Sequence, residues 1–201
     1  MADNSTFIEL MNVNDHVRSC LEHHLQTYLT ADARIPGNTV RVQIPGLEGI
    51  SLTFGVELTP EKEEWVTETL LSMAGYTGED LKRIFMDAPD AEPLEVRRFA
   101  DMIGKKMAYP IYVLSDFCAN FSAVSVIKAM PMLKEQFGKS LYIYFISEHA
   151  ALFIPYEDSE RMQKLLDHVI KSYTSDPGKE GFLSNHLYLY DIGEGCYKTL
   201  R

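Results

Sequence analysis

The sequence predicts an α+β fold: a mainly antiparallel central sheet built on a ββ-α-ββ unit, with helices packed on one face. Three observations predict it. Residues 109–156 hold the densest run of β-branched and aromatic residues in the chain. Within that run, Leu141 to Ile146 and Ala151 to Pro155 are separated only by Ser147, Glu148, His149 and Ala150, a length typical of a hairpin loop. Immediately after it, from Asp158 to Tyr173, apolar residues recur at Met162, Leu165, Leu166, Val169, Ile170 and Tyr173, which is helical spacing.

Taken in order, residues 12–30 read as a helix, with Val13, Val17, Leu21, His24, Leu25 and Tyr28 on one face. Pro36-Gly37-Asn38 is a turn. Thr39 to Ile44 and Ile50 to Val56 then alternate, and Pro45 to Gly49 join them as a hairpin with one wet face. Thr59-Pro60-Glu61 carries a cap, a proline and an early acid, so a helix is expected there with Trp65, Val66, Leu70 and Met73 inside, stopped by Gly75. Thr77-Gly78-Glu79-Asp80 starts another, burying Leu81, Ile84 and Phe85. Asp87 to Pro93 is a polar connector, and Leu94, Val96, Phe99, Met102 and Ile103 suggest a third helix ending at Gly104.

Tyr109 to Ser115 reads as a strand buried on both faces, followed by turn residues Ser115, Asp116 and Asn120. Phe121 to Ala129 has two readings. As a helix it would run on to Phe137 with Pro131 inside it, at the loss of a hydrogen bond. As a strand it alternates, and Pro131 becomes the first residue of a short helix ending at Gly138. The strand is favoured, and it completes the ββ-α-ββ unit. Beyond the long helix, Ser175 to Gly178 form a loop, 182–191 alternate as a last strand, and Cys196-Tyr197-Lys198 return after Gly193 and Gly195. The expected organisation is an N-terminal helical part with a hairpin over 1–104, continuous with a ββ-α-ββ-α-β core over 105–201.

Composition narrows the function. The 201 residues include 29 acids against 19 lysines and arginines, a net charge of −10, which disfavours a phosphate backbone or an anionic membrane as partner. No run approaches the roughly 18 apolar residues of a membrane span, and MADNSTFIEL lacks the basic start of a secretion signal. The 3 cysteines are widely spaced without a CxxC pair, which points to a reducing cytoplasm. The phosphate-loop, dinucleotide, zinc-protease and serine-hydrolase motifs are all missing from the sequence.

A few residues have the chemistry for a site. His149 sits in a hairpin loop beside Glu148, as a general base would, or as a turn cap. Cys118 lies in a turn and would act as a nucleophile only if its loop met that of His149. His16, Cys20, His23 and His24 share a helix, but no second cluster completes a zinc site, so no metal or cofactor is expected. Lys105-Lys106 reads as a solvated helix end. Tyr188, Tyr190 and the tyrosines of 141–145 have base-stacking rings but no basic partners, so they read as core.

Tyr112-Val113-Leu114-Ser115-Asp116, Ser147-Glu148-His149 and Leu183-Ser184-Asn185-His186-Leu187-Tyr188-Leu189-Tyr190-Asp191 occur in that order, with GYTGEDLKRIFMDAPD upstream. Together they resemble an uncharacterised protein family of gut clostridia, often encoded on mobile elements, over about residues 57–191. Asp116 stands where that family has Asn, and Ala150 where it has Glu, so no His-Glu chemistry carries over. The resemblance implies an intracellular α+β domain and no activity. The expected function is a non-enzymatic protein-interaction or regulatory accessory, with a protein partner or self-association. The alternative is a small hydrolase or transferase using His149 with Glu148 or Cys118.

Overall fold

The computed structural model describes residues 4–59, 62–88, 94–104, 106–107, 109–116, 123–148, 150–174 and 181–200. The chain divides into two compact units. The first comprises Met1–Tyr28, Arg34–Val42 and Leu52–Pro89; the second comprises Leu29–Ala33, Gln43–Ser51 and Asp90–Arg201. The architecture is α+β with antiparallel sheets, as the residue patterning predicts.

The chain opens with helix α1, Asn4–His23. The expected helix over 12–30 stops there: Leu25–Ala31 is strand β1. Its residues Thr27, Tyr28 and Thr30 are β-branched or aromatic, and Leu29 and Ala31 are buried two apart, so the strand period wins. Strand β2 is Arg41–Gln43 and β3 is Ile50–Thr59; β3 lies between β1 and β2 and also pairs with β4, Lys62–Trp65. The sequence suggests a hairpin with a wet face, yet every residue from Ile50 to Val56 is buried, because β3 is the central strand of its sheet.

The helix expected from Thr59 begins later. Thr67 caps α2, Glu68–Ala74, and Gly75 closes it in the left-handed region. Pro60 and Glu61 lie outside the described residues. Trp65, expected inside a helix, is a half-exposed strand residue whose neighbour is the Tyr28 ring at 5.5 Å. Helix α3, Gly78–Asp87, starts at a reciprocal Thr77/Asp80 capping box, and of its expected inner side Leu81 is buried while Ile84 and Phe85 are only partly so.

The second unit is built on a six-stranded sheet. Its strands are β5 (Leu94–Arg98), β6 (Tyr112–Asp116), β7 (Leu141–Ser147), β8 (Ala150–Pro155), β9 (Leu187–Asp191) and β10 (Cys196–Thr199). The order is β10-β9-β7-β8-β6-β5, antiparallel throughout. The segment expected as a helix over 94–103 is β5 followed by a short helix α4, Phe99–Ile103, closed by Gly104. Residues 89–93, within the expected connector, and the expected loop at 175–178 lie outside the described residues.

The preferred reading of Phe121 to Ala129 as a strand is overturned. Ser125–Phe137 is one helix, α5, with Pro131 inside it; Phe121 lies outside the described residues. The unit is therefore β-α-ββ, not ββ-α-ββ. Val126, Met130 and Leu133 fall at i, i+4 and i+7, and with Ile127 and Ala129 they are buried. Burying each large side chain is worth about 1.5–3 kcal/mol, which together outweighs the roughly 3 kcal/mol cost of an interior proline. Pro131 itself is exposed, so its ring meets solvent.

Helices lie against both faces of this sheet, where one face was expected. On one face Val113, Tyr142, Tyr144, Leu152 and Ile154 form a core with Met162, Leu166 and Val169 of helix α6, Glu160–Tyr173. On the other, Tyr112, Phe153, Ile143 and Tyr188 form a cross-strand row, and the Phe137 ring of α5 meets Tyr112 at 4.7 Å. Among the described residues no helix is long and apolar enough to cross a membrane.

Candidate functional site

The Leu183–Asp191 segment, singled out by its sequence, has a structural task. Ser184 accepts the His186 backbone N–H at 2.9 Å, and its hydroxyl meets that of Tyr188 at 2.7 Å. Tyr188 in turn donates to the Glu48 carbonyl at 2.7 Å and is fully buried, its ring edge-on to Phe145. Burial, offset in part by the Ser184 bond, pushes its hydroxyl pKa up to about 12. The motif clamps residues 45–49 onto the sheet. The same loop covers β10: Thr199 Oγ1 donates to the Gly46 carbonyl at 2.9 Å and accepts the Glu48 N–H at 3.1 Å. Gly46 has φ +83°, and a Cβ there would stand 1.8 Å from the Tyr197 carbonyl oxygen, so only glycine permits this approach.

The other sequence candidates separate. His149 and Cys118 lie outside the described residues. Of Glu148, the backbone N–H donates to Gly181 and the carbonyl accepts from Ala123. On α1, the buried Cys20 thiol lies 3.7 Å from His16 Nε2, which is also 3.3 Å from the Leu58 carbonyl. His23 Nδ1 is engaged by the Ser19 carbonyl of its own helix at 2.9 Å. His24, expected on the apolar stripe, is exposed beyond the helix end. Among the described residues no three His, Cys, Asp or Glu side chains are placed to hold a metal. Tyr142 and Tyr144 are core, and Tyr190 packs edge-on against Tyr197.

Sequence reasoning missed the surface around β5 and α4. A cleft of about 620 Å³ is lined by Val96, Arg97, Arg98, Asp101, Met102, Tyr112 and Gln136. A second, of about 520 Å³, shares Arg98 and Asp101 and extends to Lys106, Met107 and Tyr109. Three large apolar side chains stand in water here: Met102 is 52% exposed, Ile103 42% and Met107 36%. Tyr109, whose ring carries Arg161 at 4.4 Å, has a buried hydroxyl without a hydrogen-bond partner among the described residues.

Among the described residues the lining of this surface includes no histidine, cysteine or aliphatic hydroxyl. Among the described lining residues Arg97, Arg98 and Lys106 are basic and Asp101 is acidic, on a chain of net charge −10. Guanidinium groups take carboxylates, and unbranched methionines adapt to apolar side chains. One sequence signal pointed here: Leu94-Glu95-Val96 alternates as a strand, which the helix reading passed over. No family model, curated protein or solved structure matches the chain.

Proposed function

We propose that the chain is a non-enzymatic protein-interaction module that docks its partner on the β5–α4 surface. One observation carries this reading: Met102, Ile103 and Met107 are exposed within one short stretch that also holds Arg98 and Lys106, just after β5, the end strand of the sheet among the described residues. Exposed apolar clusters rimmed by charge mark interaction sites. The acidic remainder of the chain keeps such a surface soluble. The resemblance to an uncharacterised mobile-element family supports a regulatory accessory role in the cytoplasm.

A photo-crosslinking side chain at position 102, compared with the same group at exposed Lys164 on α6, tests the reading in cells carrying the gene. Discrete adducts at 102 that are absent at 164 are expected. Equal adducts at both positions, or none at 102, would refute it.

A further inference from the structure

The first unit carries an exposed aromatic and acidic face. Strands β3 and β4 pair in a register that sets Gly55 opposite Trp65, Val56 opposite Glu64 and Glu57 opposite Glu63. Directly opposed residues share a sheet face and alternate residues return to it, so Gly55, Glu57, Glu63 and Trp65 lie on one side. Tyr28 joins them from β1. Its hydroxyl donates to Glu63 Oε1 at 2.5 Å, and its ring stands edge-on to that of Trp65 at 5.5 Å. Trp65 is 42% exposed, and both glutamates are exposed.

The two glutamates are an unbalanced pair. Like charges directly opposite each other destabilise a sheet. Among the described residues neither has a basic partner, because the neighbouring Lys62 is held by Glu64 at 2.6 Å. The Glu63 carboxylate is also fixed in place. It lies over Gly55, where a Cβ would stand 2.0 Å from its Oε1, and Tyr28 bonds it from the side. Burial and the Glu63 bond raise the Tyr28 hydroxyl well above its usual range, so it stays a neutral donor and leaves the carboxylate charge in place. The face therefore presents held negative charge beside an exposed indole.

We propose that this face docks an arginine side chain from a basic segment of a partner protein, its guanidinium laid against Trp65 and bonded to Glu63 and Glu57. Charge complementarity selects that occupant. Two opposed carboxylates repel a phosphate or an acidic surface and gain from a cation. A second copy of this chain, at net charge −10, meets general repulsion here. Between the two basic side chains, the planar guanidinium both stacks on an aromatic ring and forks onto carboxylates, whereas an ammonium is a strongly hydrated point charge. An exposed ion pair adds little by itself, so the residues flanking the arginine in the segment supply the remaining contact. This surface lies outside the β5–α4 residues, and the proposal stands whatever docks there.

Trp65 is the sole tryptophan of the sequence, so its emission reports on this face alone. A short capped peptide of alternating glycine and arginine, titrated into the full chain, is expected to change that emission saturably, with a Kd of about 1 mM or tighter. Its citrulline counterpart, uncharged at nearly the same shape, should leave the emission unchanged, and its lysine counterpart should bind at least about threefold more weakly. Glu57→Gln and Glu63→Gln keep side-chain volume, and each is expected to weaken the arginine peptide at least about threefold. Glu135→Gln removes the same charge from an exposed position on α5 and should change the Kd by less than about twofold. Circular dichroism checks that the variants are folded; Glu57→Gln relieves the like-charge pair and should be no less stable than wild type. An emission unmoved by the arginine peptide up to about 10 mM, a citrulline or lysine peptide that binds as tightly, or equal losses in Glu135→Gln and Glu63→Gln would each overturn the proposal.

Discussion

Two tyrosines in the same unit should respond oppositely to the same deletion. Tyr188 donates to the Glu48 carbonyl and meets the Ser184 hydroxyl, each at 2.7 Å, in a fully buried position. Tyr197 also has a buried hydroxyl, but without a hydrogen-bond partner among the described residues. Tyr188→Phe removes two bonds and leaves the buried Ser184 without its acceptor. At about 1 kcal/mol per bond the cost is about 2 kcal/mol. For a chain of this size that is a fall in Tm of about 4–8 °C. Tyr197→Phe keeps the ring contact with Tyr190 at 5.0 Å and releases an unpaired hydroxyl from the interior. It is expected to be neutral or to stabilise by about 1 kcal/mol. Urea unfolding followed by circular dichroism, with the slope checked for constancy, measures both. If Tyr188→Phe lies within about 0.5 kcal/mol of wild type, or if both variants shift the midpoint equally in one direction, the clamp does not hold the loop as described.

Gly46→Ala places a Cβ on the Tyr197 carbonyl and is expected to cost about 2 kcal/mol or more. Gly138→Ala, at φ +61° with open space around it, should cost only about 1 kcal/mol; comparable urea midpoints would refute the close-approach argument. Pro131→Ala returns a missing N–H to an exposed position inside α5 and is expected to raise stability by about 1 kcal/mol or more, read from the same unfolding curves; a drop in stability would show that the proline sets a bend the core needs. Alkaline pH should destabilise the fold. Burial raises the Tyr188 hydroxyl to about 12, and burial together with the Glu63 bond raises that of Tyr28. A group raised above its unfolded value near 10 contributes fully below that pH and loses its contribution as pH climbs through the folded value. The urea midpoint should therefore fall between about pH 10 and 12, less steeply in Tyr188→Phe; a midpoint flat over that window would contradict the burial.

The sequence by itself determined the elements whose signals are local. Periodicity defines α6, the Thr77–Asp80 run starts α3, glycines 75 and 138 end their helices, and runs of β-branched and aromatic residues mark β6, β7 and β8. Tertiary structure decided the rest. The local signals for β1 (Thr27, Tyr28 and Thr30) and for β5 (the alternation of Leu94-Glu95-Val96) are too short to outweigh a helical reading; those residues are strands because neighbouring strands satisfy their peptide groups. Pro131 argued for a break before α5, but five buried side chains around it gained more than one hydrogen bond was worth. The β5–α4 surface was illegible for the same reason. Met102 and Ile103 look like core in any sequence, and only the packing of the sheet, which fills its interior with other side chains and ends at β5, leaves them in water.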